Sequence, residues 1–132
     1  MEVPLAVLAD SANVSQEGKL NILGAFNRIS GVTVPATHPH MTLVFTLEAD
    51  IAETGRTHKV NIRCMDEDGG KLLEINGDVH VQQASSTVRI NQVMNIQNLV
   101  FPSFGRYSFV ILVNNELKKR VPLEFAAAKA DS

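Results

Sequence analysis

A two-residue hydrophobic rhythm through residues 104–126 limits this chain more than any other feature. Tyr107, Phe109, Ile111 and Val113 fall on one side of an extended segment, and Arg106, Ser108, Val110 and Leu112 on the other. That is the pattern of a strand, whose successive side chains point to opposite faces. The apolar middle of the second face predicts that it too is covered. Asn114-Asn115 then offers two residues that tolerate positive φ, as a tight hairpin turn requires. Val121, Leu123 and Phe125 alternate with Arg120, Pro122 and Glu124, which predicts a return strand with one apolar face. The segment therefore reads as the central hairpin of a β-sandwich. It defines a fold class and no chemistry.

The rhythm recurs along the chain. Residues 3–9 are a nearly continuous apolar run, read as a buried strand and followed by a polar loop over 11–18. In residues 19–29, Leu20, Ile22, Gly24 and Phe26 share a face, and Gly24 predicts a bulge or a close backbone approach. Pro35 and Pro39 argue against a central strand over 31–40 and for an extended crossover. Met41, Leu43, Phe45 and Leu47 begin a further strand; Val60, Ile62 and Cys64 mark the next, closed by the turn 66–70. Leu73 and Ile75 follow, with Asn76-Gly77 as a hairpin or bulge signal. In residues 88–96, Val88, Ile90, Met94 and Ile96 point inward, and Gln92 shares their parity. Either a bulge re-registers that strand or Gln92 lies near an edge.

No segment sustains a helical period, so an all-β fold follows: an antiparallel β-sandwich of about eight or nine strands with Greek-key connections. A C2-like and an immunoglobulin-like topology both fit. Tyr107 after a Pro/Gly corner resembles the tyrosine corner of immunoglobulin-like sandwiches. One domain is expected over residues 1–126, with a frayed tail over 127–132.

Composition narrows the function classes. In 132 residues, 12 basic against 14 acidic side chains give a net charge of −2, with no long run of one sign. Nothing draws the chain to nucleic acid or to anionic lipid. Residues 1–10 lack the basic start of a signal peptide, and no run is long enough for a membrane helix. A soluble, cytoplasmic protein is expected. The lone Cys64 forms no internal disulfide, belongs to no zinc-type spacing, and alternates with Val60 and Ile62 as a small buried hydrophobe.

The motif Asn13-Val14-Ser15-x-Glu17-Gly18-Lys19-Leu20-Asn21-Ile22-Leu23-Gly24-x-Phe26-x-Arg28-Ile29 carries a family likeness. With His38-Pro39-x-Met41, Phe101-Pro102-x-Phe104-Gly105-x-Tyr107-x-Phe109 and Val121-Pro122-Leu123, it resembles a bacterial family of small single-domain proteins catalogued as a domain of unknown function. The resemblance spans nearly the whole chain. It implies an intracellular β-rich domain and brings no activity, cofactor or catalytic residue with it.

Candidate chemistry is sparse. Asp66, Glu67 and Asp68 could begin a calcium site, joined by Asp10 or Asp50, although Asp and Gly are also what a solvated turn selects. His38 and His40 flank Pro39 without a third or fourth metal ligand. Glu48 and Asp50 read as strand-end charges, no Gly-x-Ser-x-Gly elbow occurs, and Gly69-Gly70-Lys71 lacks the spacing of a phosphate loop. No cofactor and no catalytic residue are expected. Val110 and Leu112, with Val93 on another strand, could present an apolar patch to a protein partner or a second copy. The expectation is a non-catalytic interaction module that binds a protein partner or a second copy of itself; the alternative is a small-ligand or calcium-binding domain using loops 10–18, 31–40 and 66–70.

Overall fold

The computed structural model describes residues 1–128. Nine strands form: β1 (Glu2–Val14), β2 (Leu20–Phe26), β3 (Arg28–Gly31), β4 (Ala36–Ala49), β5 (Arg56–Asp66), β6 (Lys71–Val81), β7 (Val88–Phe101), β8 (Gly105–Val113) and β9 (Glu116–Ala127). They build two packed sheets, ordered β2-β1-β4-β7 and β3-β9-β8-β5-β6. Every pairing is antiparallel except β3 with β9. The order β1-β4-β7 opposite β9-β8-β5-β6 is that of strands A-B-E against G-F-C-C′ in immunoglobulin-like sandwiches. The topology is therefore immunoglobulin-like rather than C2-like.

The alternation explains the core. Tyr107, Phe109, Ile111 and Val113 of β8 are all buried, as are Val121, Leu123 and Phe125 of β9 and Val60, Ile62 and Cys64 of β5. They meet Met41, Leu43, Phe45 and Leu47 of β4 across the sandwich. Asn114 and Asn115 take φ of 51° and 67° in the β8–β9 turn, the left-handed geometry a two-residue hairpin needs. Tyr107 stands in the corner its sequence context predicts. Its hydroxyl donates to the Ser103 carbonyl at 2.7 Å, and its ring meets Phe101 edge-on at 5.0 Å. Phe109 occupies the position two residues on, where antibody domains carry a disulfide cysteine.

Several local expectations are corrected. The polar stretch after Asp10 is not a loop, because β1 continues to Val14 and pairs with β2 down to Val14–Leu20. Strand β4 begins at Ala36 and includes Pro39. There β7 is its only neighbour, since β1 leaves β4 at Ala9–Thr42, so a residue without an N–H is tolerated. Opposite Pro39 lies Asn98 with φ 56°, and past this point the buried positions of β7 change from Ile96 to Leu99 and Phe101. Asn76-Gly77 makes neither turn nor bulge; β6 runs straight through it in register with β5. At the other end, Ala127 still pairs with Gly31, so the strand reaches into the expected tail. Residues 129–132 lie outside the described residues.

Strand β4 is buried on both faces, with Val44 and Thr42 at 0% exposure and Thr46 at 5% on the side away from the core. The β1–β2 hairpin accounts for it. Beyond Ala9 this hairpin leaves β4, and the Gly18 carbonyl at its tip accepts a hydrogen bond from Asn91 Nδ2 on β7 at 3.2 Å. Asn91 pairs with Thr46, which pairs with Leu5 on its other side. The hairpin has thus doubled back as an arm across the outer face of the sheet. The reversal needs Gly24, whose φ is 70° and whose added Cβ would lie 2.3 Å from Asp10 Oδ2. This is the close approach that the glycine predicted. Beneath the arm, Thr46 Oγ1 is buried with no hydrogen-bond partner among the described residues. Thr46→Val, which keeps the shape and removes that hydroxyl, is expected to stabilise the protein by about 1 kcal/mol in urea unfolding.

Candidate interaction surface

A sandwich of two open sheets has four edges, here β2, β7, β3 and β6. Natural edges are usually blunted by charge, proline, bulges or shortness, because their free N–H and C=O groups recruit other strands. Strand β3 is only 4 residues long, and β6 carries Lys71, Glu74, Asp78 and His80. Strand β7 differs. It is 14 residues long and, among the described residues, pairs with β4 alone. Residues 90–105 contain no ionisable side chain, so beyond Arg89 this edge has no charge to repel a partner.

Gln92 sits in the middle of that edge. The β4–β7 register is unbroken from Val88 to Gln97, so no bulge turns Gln92 outward. It faces the gap between the sheets because β7 is an edge strand, the second of the two explanations its parity allowed. Beside it a slot of about 110 Å³ opens between β6 and β7. Phe45, Val60, Ile62, Ile75, Val79 and Met94 line it, with Gln92 and Asp78 as its polar members.

The residues singled out as a partner surface are not brought together. Val93 pairs with Val44 on the outer side of the four-stranded sheet. Val110 and Leu112 lie on the outer side of the five-stranded sheet, where Val110 is buried and Leu112 half-buried. They floor a shallow groove with Met65 and Leu117, rimmed by Arg63, Arg120, Asp66 and Glu67. One sequence candidate thus borders another, as the acidic turn flanks the outward side of β8.

In the acidic turn, Asp66 and Glu67 each direct one carboxylate oxygen to backbone amides. Asp66 Oδ1 accepts from the Asp68 and Gly70 amides at 2.9 and 2.7 Å, and Glu67 Oε1 accepts from the Arg106 amide at 3.2 Å. Asp50 lies far from them, capping a short 3-10 turn (Ile51–Glu53) that precedes β5, whereas Asp66 ends β5. Among the described residues, no three His, Cys, Asp or Glu side chains converge as a metal site would require. His38 lies 6.4 Å from the Phe26 ring, while His40 lies beside the Thr42 hydroxyl. His80 contacts Thr57 Oγ1. The buried His58 is held between the Glu53 carbonyl at 2.8 Å and the Asn114 side-chain amide at 2.9 Å, which ties the β4–β5 connection to the β8–β9 turn.

Two titratable groups are shifted far from their ordinary values. Burial pushes the Cys64 thiol up to about 12, with the Asp66 charge adding to it. A thiol so placed stays protonated and shielded. Native protein is expected to resist alkylation at neutral pH and to react fully once unfolded, as mass spectrometry would show. Glu74, on the exposed side of β6, is held down at about 2 by hydrogen bonds from Lys71, then Asn61, with Arg63 adding. A carboxylate whose pKa is depressed on folding stabilises the native state above its ordinary value and loses that contribution as pH falls. Glu74→Gln is therefore expected to flatten the decline in stability between about pH 4.5 and about pH 2, read by denaturant melts across that window.

Sequence reasoning missed Asn91 and Asn95, which carry polar contacts on the outer side of β7. Asn91 holds the arm, and Asn95 Oδ1 accepts from Thr42 Oγ1 at 3.0 Å. The available signal was the absence of charge from residues 90–105, but amides on an alternating strand read as ordinary solvent positions. Fold and edge together define an immunoglobulin-like β-sandwich in which β7 is a long edge strand, uncharged beyond Arg89. The chain matches a family of unknown function, DUF6941, over residues 4–126, and belongs to that family. No curated protein matches it. No helix among the described residues is long and apolar enough to cross a membrane.

Proposed function

We propose that this protein is a non-catalytic interaction module whose contact site is the open edge of β7. The observation that carries the reading is that edge itself: long, paired on one side only, and free of ionisable side chains from Ile90 onward. Such an edge takes up an extended segment by main-chain pairing. The calcium alternative has no comparable observation behind it, since among the described residues no three acidic, histidine or cysteine side chains converge. A photo-crosslinking side chain at Val93, compared with one at Leu117 in the groove of the opposite sheet, separates the two candidate surfaces. Protein adducts are expected at Val93 and not at Leu117; the reverse would overturn the assignment.

A further inference from the structure

The sequence of the β7 edge reads nearly the same in both directions about Val93: Ile90-Asn91-Gln92-Val93-Met94-Asn95-Ile96. Resting on the reading of β7 as a pairing edge, we infer that its occupant is a second copy of this chain, paired antiparallel about a two-fold axis through Val93. A two-fold interface sets a surface against itself, so it requires self-complementarity, and a near-palindromic strand supplies it. A partner of different sequence would need no such symmetry.

In that register each residue meets one like itself or a neutral one. On the outer side Val93 faces the partner's Val93, and Asn91 faces the partner's Asn95. The amide contacts already made leave matching groups over. Asn91 uses Nδ2 on Gly18, and Asn95 uses Oδ1 on Thr42. Asn91 Oδ1 and Asn95 Nδ2 are without partners among the described residues, an acceptor and a donor for the facing pair. On the inner side Ile90 faces the partner's Ile96, and Gln92 faces the partner's Met94 beside the open slot. Arg89 falls opposite the partner's Gln97, so no like charges oppose each other. The two four-stranded sheets become one continuous sheet. Since the pairing of single strands is at the small end of specific interfaces, the dimer should dissociate on dilution.

Light scattering on the full chain is the test. The wild-type mass is expected to rise with concentration from 14.4 kDa toward twice that value. Val93 is half-buried on the outer side, so Val93→Lys and Val93→Glu keep the fold while placing like charges on the axis. Each variant alone is expected to stay at the single-chain mass, and their equimolar mixture to recover the dimer. A wild type that remains a monomer at every concentration would overturn the self-pairing, as would a dimer unmoved by Val93→Lys, or masses growing without limit as in head-to-tail association. Crosslinks from Val93 to a different protein, with a monomeric wild type, would retain β7 as the contact edge and reject the second copy. Neither adducts nor dimer would reject both.

Discussion

Phe109→Ala is expected to remove most of the protein's folding stability. Phe109 is fully buried at the middle of β8, between Cys64 of β5 and Val121 of β9 in the ladder. It belongs to the cluster that joins the two sheets, so every inner face loses contacts with it. Truncating a buried phenylalanine to alanine costs about 3–5 kcal/mol, through lost transfer energy and the cavity left behind. Domains of this size hold about 5–15 kcal/mol in total, so the loss is a large share of the whole. The cavity has little chance to collapse, because strands on either side of β8 fix the backbone. Urea unfolding should show a midpoint moved far down at unchanged slope. Phe109→Leu, which retains most of the volume, should recover a large part of the loss.

Tyr107→Phe is the second large effect, and it isolates a single atom. The ring stays packed on Phe101, while the hydroxyl that donates to the Ser103 carbonyl is gone. That bond fastens the turn between β7 and β8, where the chain passes from one sheet to the other. Ser103 itself is exposed, so water can reach its freed carbonyl, and losing this part-buried hydrogen bond costs about 0.5–1.5 kcal/mol. Thermal melts should register the loss as a lowered midpoint. Exchange of the amides in residues 102–105 should quicken more than that of the β8 core, since the corner loosens before the sheets part.

Most of the fold was legible because β-sandwich strands declare themselves locally. The alternation of Tyr107, Phe109, Ile111 and Val113 needed no knowledge of a partner strand, and Asn114-Asn115 announced its turn through its own conformational preference. What stayed hidden depended on distant segments. The double burial of Val44, Thr42 and Thr46 comes from an arm that is anchored at Asn91, far along the sequence. The polar residues of that arm look like a loop until its fold-back is seen. Pro39 argued against a central strand, yet β4 is central only where β1 accompanies it, and the proline lies beyond that point.

The candidate site was legible in part for the same reason. Gln92 broke the inward pattern of its strand and so marked an edge, but nothing local said that the edge was open on one side. Val93 and Val110 looked alike in sequence, as apolar residues on an outward parity. Only the sheet order separates them onto opposite faces of the sandwich.

Strand β7 as a concentration-dependent pairing edge is the central claim, and amide hydrogen exchange over residues 90–97 tests it most directly. The N–H groups that point away from β4 are expected to exchange slowly in concentrated protein and quickly on dilution, while the β8 core remains unchanged. Fast exchange of those amides at every concentration, in otherwise folded protein, would contradict the claim.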